Sequence, residues 1–147
     1  MKSTRVLILD DESTMRTALF RTLDRKGYSV VTSQTIEEAK SYCSSDKIFD
    51  LAIVDVNLPD GDGLEFMTYL KSIYPGIQVI VLTGFATIES AVLATQKGAY
   101  HFLTKPFSIE ELMSVSEKAL DHKNLQKENL QLRQELTMKY GFSQIIG

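Results

Sequence analysis

Cysteine is the first thing the chain has little of. Cys43 stands alone, which rules out an intrachain disulfide and any cysteine-built metal cluster. It falls among apolar positions of a predicted helix and reads as a buried, inert thiol. Histidine is nearly as scarce: His101 falls on a predicted strand and His122 in a helical seam or surface, and the two make no metal pair. Long apolar runs are missing too. None approaches the roughly eighteen residues of a membrane span, and no signal-peptide pattern follows Met1. The expected compartment is therefore the cytoplasm. Nor is there an excess of positive charge. A net charge of -3 supplies no basic field of the kind nucleic acid attracts, so this stretch is not expected to touch DNA.

What is present is ordinary globular material. At 44% hydrophobic and 24% charged, the 147 residues can bury a real core, as one domain with room for an appendage. The most informative stretch runs from Leu51 to Gly63. Leu51-Ala52-Ile53-Val54 has no polar partner, the pattern of a strand buried on both faces, and it ends in a lone carboxylate, Asp55. Pro59, Gly61 and Gly63 then stop the extended chain. Asp55 is thus placed at the carboxyl end of a central strand, where open α/β sheets bind ligands.

The rest of the chain supplies neighbours for that strand. Arg5 to Leu9 predicts a first strand ending in Asp10-Asp11-Glu12, and Met15, Ala18, Leu19 and Leu23 recur at helical spacing until Gly27. Tyr28 to Val31 predicts a second strand. Thr35 with Glu38 forms a capping box ahead of Ile36, Ala39 and Tyr42. Leu64, Met67, Leu70 and Ile73 mark a third helix, and Gln78 to Leu82 a fourth strand ending in Thr83-Gly84. Ile88, Ala91, Val92 and Thr95 mark a fourth helix, and Tyr100 to Leu103 a fifth strand ending in Thr104-Lys105-Pro106. A second capping box, Ser108 with Glu111, opens the last helix. Alternating strands and helices make the fold class α/β, a doubly wound five-stranded parallel sheet. The expected strand order is 2-1-3-4-5, with the first and third strands adjacent at the switch point.

That order has a chemical consequence. Asp10 and Asp11 come to lie beside Asp55, with Thr83 and Lys105 arriving on the other side. Carboxylates so close repel one another, and a cation is the usual remedy. Oxygen-only ligands point to a hard ion, Mg2+ before a transition metal, and Mg2+ so held keeps waters and shares phosphate oxygens. Lys105 offers a point positive charge and Thr83 a hydroxyl. The set suits a carboxylate that gains further negative charge, as an aspartyl phosphate does. The run from Asp55 to Asp62 is not an EF-hand, because Pro59 occupies a ligand position.

Asp10-Asp11, Asp55, Thr83 and Lys105-Pro106, in this order and strand context, resemble the receiver domain of two-component response regulators (a CheY-like fold). The resemblance covers roughly residues 4 to 122. It implies that Asp55 accepts a phosphoryl group from a sensor histidine kinase. It further implies that Asp11 ligates Mg2+ directly, Asp10 largely through water, and that Asp55 and the main-chain carbonyl of Asn57 complete the ligands. Thr83 and Lys105 would contact the phosphoryl group, and Phe102 falls at the family's aromatic switch position. Asn57 and Phe85 fall where side chains tune dephosphorylation; bulky, apolar Phe85 cannot orient a water, so slow loss of phosphate is expected. In that family the domain is a switch and not an enzyme in its own right.

Leu112 to Lys139 contains neither Pro nor Gly, so the last helix can run on past the domain. Val115, His122, Asn129 and Leu136 fall seven apart, with Lys118, Leu125 and Leu132 on the alternate seam, a short heptad pattern. Asn129 at the a position favours a parallel pair, and Glu128 faces Arg133 of a partner helix. The expected dimer forms through Leu125, Asn129, Leu132 and Leu136, through the face of the fourth helix, fifth strand and fifth helix, or through both. Asn124 to Leu130 and Tyr140 to Gly147 resemble the linker and the opening of the AAA+ domain in NtrC-type, sigma-54-dependent transcriptional activators. The expected division is therefore a receiver over 1–122, a helical coiled-coil linker over 123–140 and the start of an AAA+ output domain over 141–147. Rival readings are a Mg2+-dependent phosphatase with an aspartate nucleophile, a purely structural dimerisation module and a stand-alone regulator with a helical tail.

Overall fold

The computed structural model describes residues 4–44, 46–84 and 87–125, together with Leu132. Strand β1 spans Arg5–Leu9, β2 Ser29–Ser33, β3 Leu51–Asp55, β4 Gln78–Thr83 and β5 His101–Thr104. Helices α1 (Ser13–Arg25), α2 (Ile36–Ser41), α3 (Gly63–Ile73) and α4 (Ile88–Gln96) connect them, and α5 is described over 109–125. All five strands pair in parallel in the order β2-β1-β3-β4-β5, the order the alternation of elements predicts.

The sheet is buried on both sides, and side-chain alternation sorts its residues between two cores. Leu7, Leu9, Ala52, Val54, Val79 and Val81 meet Leu64, Phe66, Met67, Leu70 and Ala94 of α3 and α4. Val6, Ile8, Leu51, Ile53, Ile80 and Leu82 meet Leu19 and Leu23 of α1 and Leu112, Met113, Ala119 and Leu120 of α5. Each fully buried Leu or Ile contributes about 2 kcal/mol. That is why β3, buried at every position, lacks polar residues until Asp55.

Strand ends differ slightly from the sequence expectation. β2 runs on to Ser33 because Leu9 still pairs with it and its hydroxyl donates to the Ile8 carbonyl at 2.8 Å. β5 begins at His101 because Tyr100 is spent on a single bond, its N–H to the Val79 carbonyl at 2.8 Å. Helix α2 stops at Ser41, so Cys43 lies beyond it and is only half-buried. Its thiol donates to the Ala39 carbonyl, and burial raises its pKa. The turn that ends α2 is fixed by Tyr74, whose hydroxyl accepts the N–H of Ser44 and faces the carbonyls of Ser44 and Lys47 at 2.8 and 2.7 Å.

The far edge of the sheet is tied to the last helix through Asp50. Its two carboxylate oxygens take the N–H of Arg5 at 2.9 Å and the ammonium of Lys123 at 2.7 Å. Its own main chain bridges Arg5 and Gln78. Helix α5 passes 122 without a break, and the ring of His122 rests on Tyr100 at 5.6 Å.

Candidate functional site

The carboxyl edge of the sheet gathers the polar residues. Parallel pairing sets Leu9 beside Val54, so the next residues, Asp10 and Asp55, emerge side by side. Asp10 is fully buried and Asp55 is 5% exposed. Asp10 is held on three sides: its N–H donates to the Ser33 carbonyl, its Oδ1 accepts the N–H of Glu12 at 2.9 Å, and its carbonyl accepts from the Arg16 guanidinium at 2.8 Å. Asp55 Oδ1 accepts the N–H of Asn57 at 3.1 Å. Asp11 is exposed, yet one carboxylate oxygen from each of Asp10, Asp11 and Asp55 lies within 4.8 Å of the others.

Lys105, just past β5, answers this charge. Its Nζ donates to Asp10 Oδ2 at 2.9 Å, Glu12 Oε1 at 3.0 Å and Asp55 Oδ2 at 3.1 Å. Its N–H is anchored on the carbonyl of Thr83 at 2.7 Å, and the peptide bond to Pro106 is cis. Thr83 is buried at the end of β4 and pairs with Thr104. Burial alone would depress the Lys105 ammonium, but Asp10, Glu12 and Asp55 outweigh it and its pKa is raised. For Asp55 the balance runs the other way. Burial, helped by the charge of Asp10, lifts its carboxyl above the ordinary value despite Lys105 and the Asn57 N–H.

Asp10, Asp11, Asp55, Thr83 and Lys105 thus meet where the sequence places them, with Asn57 hydrogen-bonded to Asp55. Phe102 is half-buried on β5, opposite Val81, and packs against the α3 and α4 core. Leu125 and Leu132 are exposed. Phe85, Asn129 and Leu136 lie outside the described residues.

Three contributors were not singled out in the sequence. Glu12 closes the acidic triplet that follows β1, and that triplet was its only signal. Arg16 sits one turn into α1, where nothing local marks it. Gly63 approaches Asp55 so closely that a Cβ would lie 2.0 Å from the Asp55 carbonyl oxygen. The remaining acids of the β3–α3 loop point elsewhere: Asp62 caps α3 through the N–H of Leu64, and Asp60 caps α2. They are helix caps, not the rim of a calcium loop.

Chemically, the edge offers a desolvated carboxylate beside two others that fit a hard cation, and an ammonium that already spans two of them. Such an arrangement can serve as a nucleophile with a positive charge beside it.

The chain is similar to known proteins. Residues 6–117 match the family model of the response regulator receiver domain. The DNA-binding transcriptional regulator NtrC of Azospirillum brasilense is 36% identical over 121 residues, which is 82% of this chain and 25% of that protein. The response regulator protein PilR of Pseudomonas aeruginosa is 32% identical over 128 residues, 87% of this chain and 28% of that protein. The chain therefore spans about a quarter of the length of these relatives. Among solved structures, the beryllofluoride-activated NtrC4 receiver domain dimer superposes with a TM-score of 0.76 at 38% identity, covering 81% of this chain and 98% of that one. NtrX of Brucella abortus gives a TM-score of 0.81 at 30% identity, covering 90% of this chain and 30% of that one.

Proposed function

The chain belongs to the response regulator receiver domain family, and from that premise we propose that Asp55 is the phosphoacceptor of a two-component switch in an NtrC-type regulator. One observation carries the reading: a single lysine bridges two buried aspartates on adjacent strands, Asp10 and Asp55, with Asp11 alongside.

A carboxylate oxygen of Asp55 attacks the phosphorus of a kinase phosphohistidine. The new O–P bond replaces the N–P bond, and the imidazole leaves with the electron pair and takes up a proton from solvent. Asn57 steadies the carboxylate from the opposite oxygen through its N–H. Lys105 is within reach of charge arriving on Asp55, and Thr83 stands at the end of the neighbouring strand. The donor set fits magnesium: Asp10, Asp11 and Asp55, with the Asn57 carbonyl, would hold Mg2+, which would neutralise charge on the phosphoryl oxygens.

The phosphoryl group then acts by population shift. Drawing Thr83 and Lys105 toward it repacks Phe102 and the α4–β5–α5 face, where Ile88, Val92 and Leu93 are exposed. That face and the exposed Leu125 and Leu132 are the proposed dimer surfaces. Residues 1–122 serve as receiver, 123–140 as linker and 141–147 as the opening of an AAA+ domain whose ATPase this switch controls. The proposed compartment, as for the partner of a sensor kinase, is the cytoplasm; among the described residues no helix is long and apolar enough to cross a membrane.

The test is incubation with a small phosphodonor, with and without Mg2+, followed by mass measurement. A Mg2+-dependent adduct of one phosphoryl per chain, lost in Asp55→Asn, is expected. Many turnovers per Asp55 would instead identify a phosphatase.

A further inference from the structure

The head of α2 is capped by two side chains, one adjacent in the chain and one distant. Thr35, immediately before the helix, accepts the N–H of Glu38 on its hydroxyl at 3.1 Å. The first two N–H groups go to Asp60: Oδ1 accepts from Ile36 at 2.9 Å and Oδ2 from Glu37 at 3.0 Å. An ionised carboxylate with both oxygens engaged at a helix N-terminus is a directional clamp. Those two N–H bonds also hold the Asp60 carboxyl below the usual carboxylate range, so it is charged at neutral pH.

The position of Asp60 in its own loop gives this clamp a second consequence. Asn57–Leu58 and Gly61–Asp62 form a tiny antiparallel ladder, and Asp60 lies in the turn between them. The base of the ladder carries Asn57, whose N–H meets Asp55 Oδ1 at 3.1 Å. The chain then enters α3 with the N–H of Gly63 on the Val56 carbonyl at 2.8 Å. The loop is therefore fastened at its base beside Asp55 and at its tip on α2. Helix α2, six residues long, is in turn too short to be stable without outside partners.

We propose that Asp60 is a positioning residue for the chemistry at Asp55: by tethering the loop tip to α2 it holds Asn57 against the reacting carboxylate. The effect on phosphorylation rests on the reading of Asp55 as phosphoacceptor; the effect on loop geometry does not.

The test compares the parent chain with Asp60→Ala, Asp60→Asn and Thr35→Ala, using acetyl phosphate with Mg2+ for the reaction and amide NMR for the loop. Thr35→Ala removes a cap of the same helix without touching the loop, and so isolates a purely structural role. The Asn57 amide resonance is expected to move in Asp60→Ala and to stay in Thr35→Ala. Adduct formation is expected to slow about tenfold in Asp60→Ala, short of the hundredfold that an ångström of misplacement can cost. Asp60→Asn, which keeps one acceptor oxygen, should fall between, and it carries the comparison if Asp60→Ala does not fold. An unmoved Asn57 amide, or equal slowing in Thr35→Ala and Asp60→Ala, overturns the proposal. A parent chain that takes up no phosphoryl group overturns the phosphoacceptor reading, while the Asn57 amide still decides whether Asp60 holds the loop.

Discussion

Gly63 begins α3 with its Cα against the backbone of Asp55: a methyl group there would lie 2.0 Å from the Asp55 carbonyl oxygen and 2.9 Å from its carbonyl carbon. Neither atom can rotate away, since β3 is paired on both sides. Gly63→Ala is therefore expected to push α3 off the sheet end and to cost about 3 kcal/mol, the upper range for overpacking. Denaturant unfolding measures it, and phosphoacceptance should fall with it.

Lys105→Met leaves two buried carboxylates facing each other without their shared cation. Breaking a buried pair costs about 3 kcal/mol, and the Lys105 side chain is 14% exposed against 0% and 6% for Asp10 and Asp55. The unfolding midpoint is expected to drop at neutral pH. Adding Asp55→Asn should recover part of the loss, because one of the opposed charges is then gone.

The pH dependence follows from the direction of the Asp55 shift. Its folded pKa lies above the ordinary 3.8 because the carboxyl is desolvated and faces Asp10. A raised folded pKa favours the folded state most fully below the unfolded value, and that contribution is lost as pH rises through the folded one. Ionised Asp55 is thus a liability at neutral pH. Asp55→Asn is expected to raise the unfolding midpoint at pH 7, with the advantage shrinking as pH falls through the raised folded value and gone once it reaches the ordinary 3.8. An equal advantage at both ends of that range would contradict the burial argument.

Magnesium should reverse the same liability. A ligand that binds only the folded chain stabilises it by about 2.7 kcal/mol at a hundredfold excess over its dissociation constant. Thermal unfolding with and without Mg2+ reads this directly. Asp11→Ala, which removes the exposed member of the triad while leaving Asp10 and Asp55 in place, is expected to abolish the shift without lowering the metal-free midpoint.

Two surfaces are proposed for a dimer, and substitutions separate them. Leu125 and Leu132 are 61% and 56% exposed, as Ile88 and Val92 are at 86% and 48%. Burying one Leu contributes about 2 kcal/mol, so Leu125→Ser with Leu132→Ser should weaken a helix-seam dimer at least about tenfold. Ile88→Glu with Val92→Glu should weaken a dimer formed through α4. Sedimentation of the phosphorylated and unphosphorylated chain assigns each surface to its state.

The sheet was legible in the sequence because its strands are short apolar runs ending in polar residues, and right-handed crossovers leave little choice of order. Asp10, Asp11, Asp55, Thr83 and Lys105 were legible for the same reason: each ends a strand or follows one directly. Glu12 was not, since its ion pair with Lys105 joins positions 93 apart and leaves no periodic trace. Arg16 was hidden likewise, spending its guanidinium on the Asp10 carbonyl rather than on a charge partner. Asp60 and Asp62 looked alike in a turn-rich loop; only the packing of α2 and α3 around that loop sends one to each helix. The short α2 and the position of Cys43 beyond it depend on Tyr74, thirty residues from Ser44.

Asp50 has a consequence of its own. Its one carboxylate joins the opening of β1 to Lys123 of α5, and its backbone touches β4, at the opposite rim from the acidic pocket. It grips β1 and β4, whose far ends carry Asp10 and Thr83, and leads into β3, which ends in Asp55, so its ion pair with Lys123 joins the departing helix to the frame of the pocket. Coupling between binding events is reciprocal. If charge on Asp55 alters how two tails associate, then whatever clamps or splays those tails must change, by the same factor, how favourably Asp55 holds that charge.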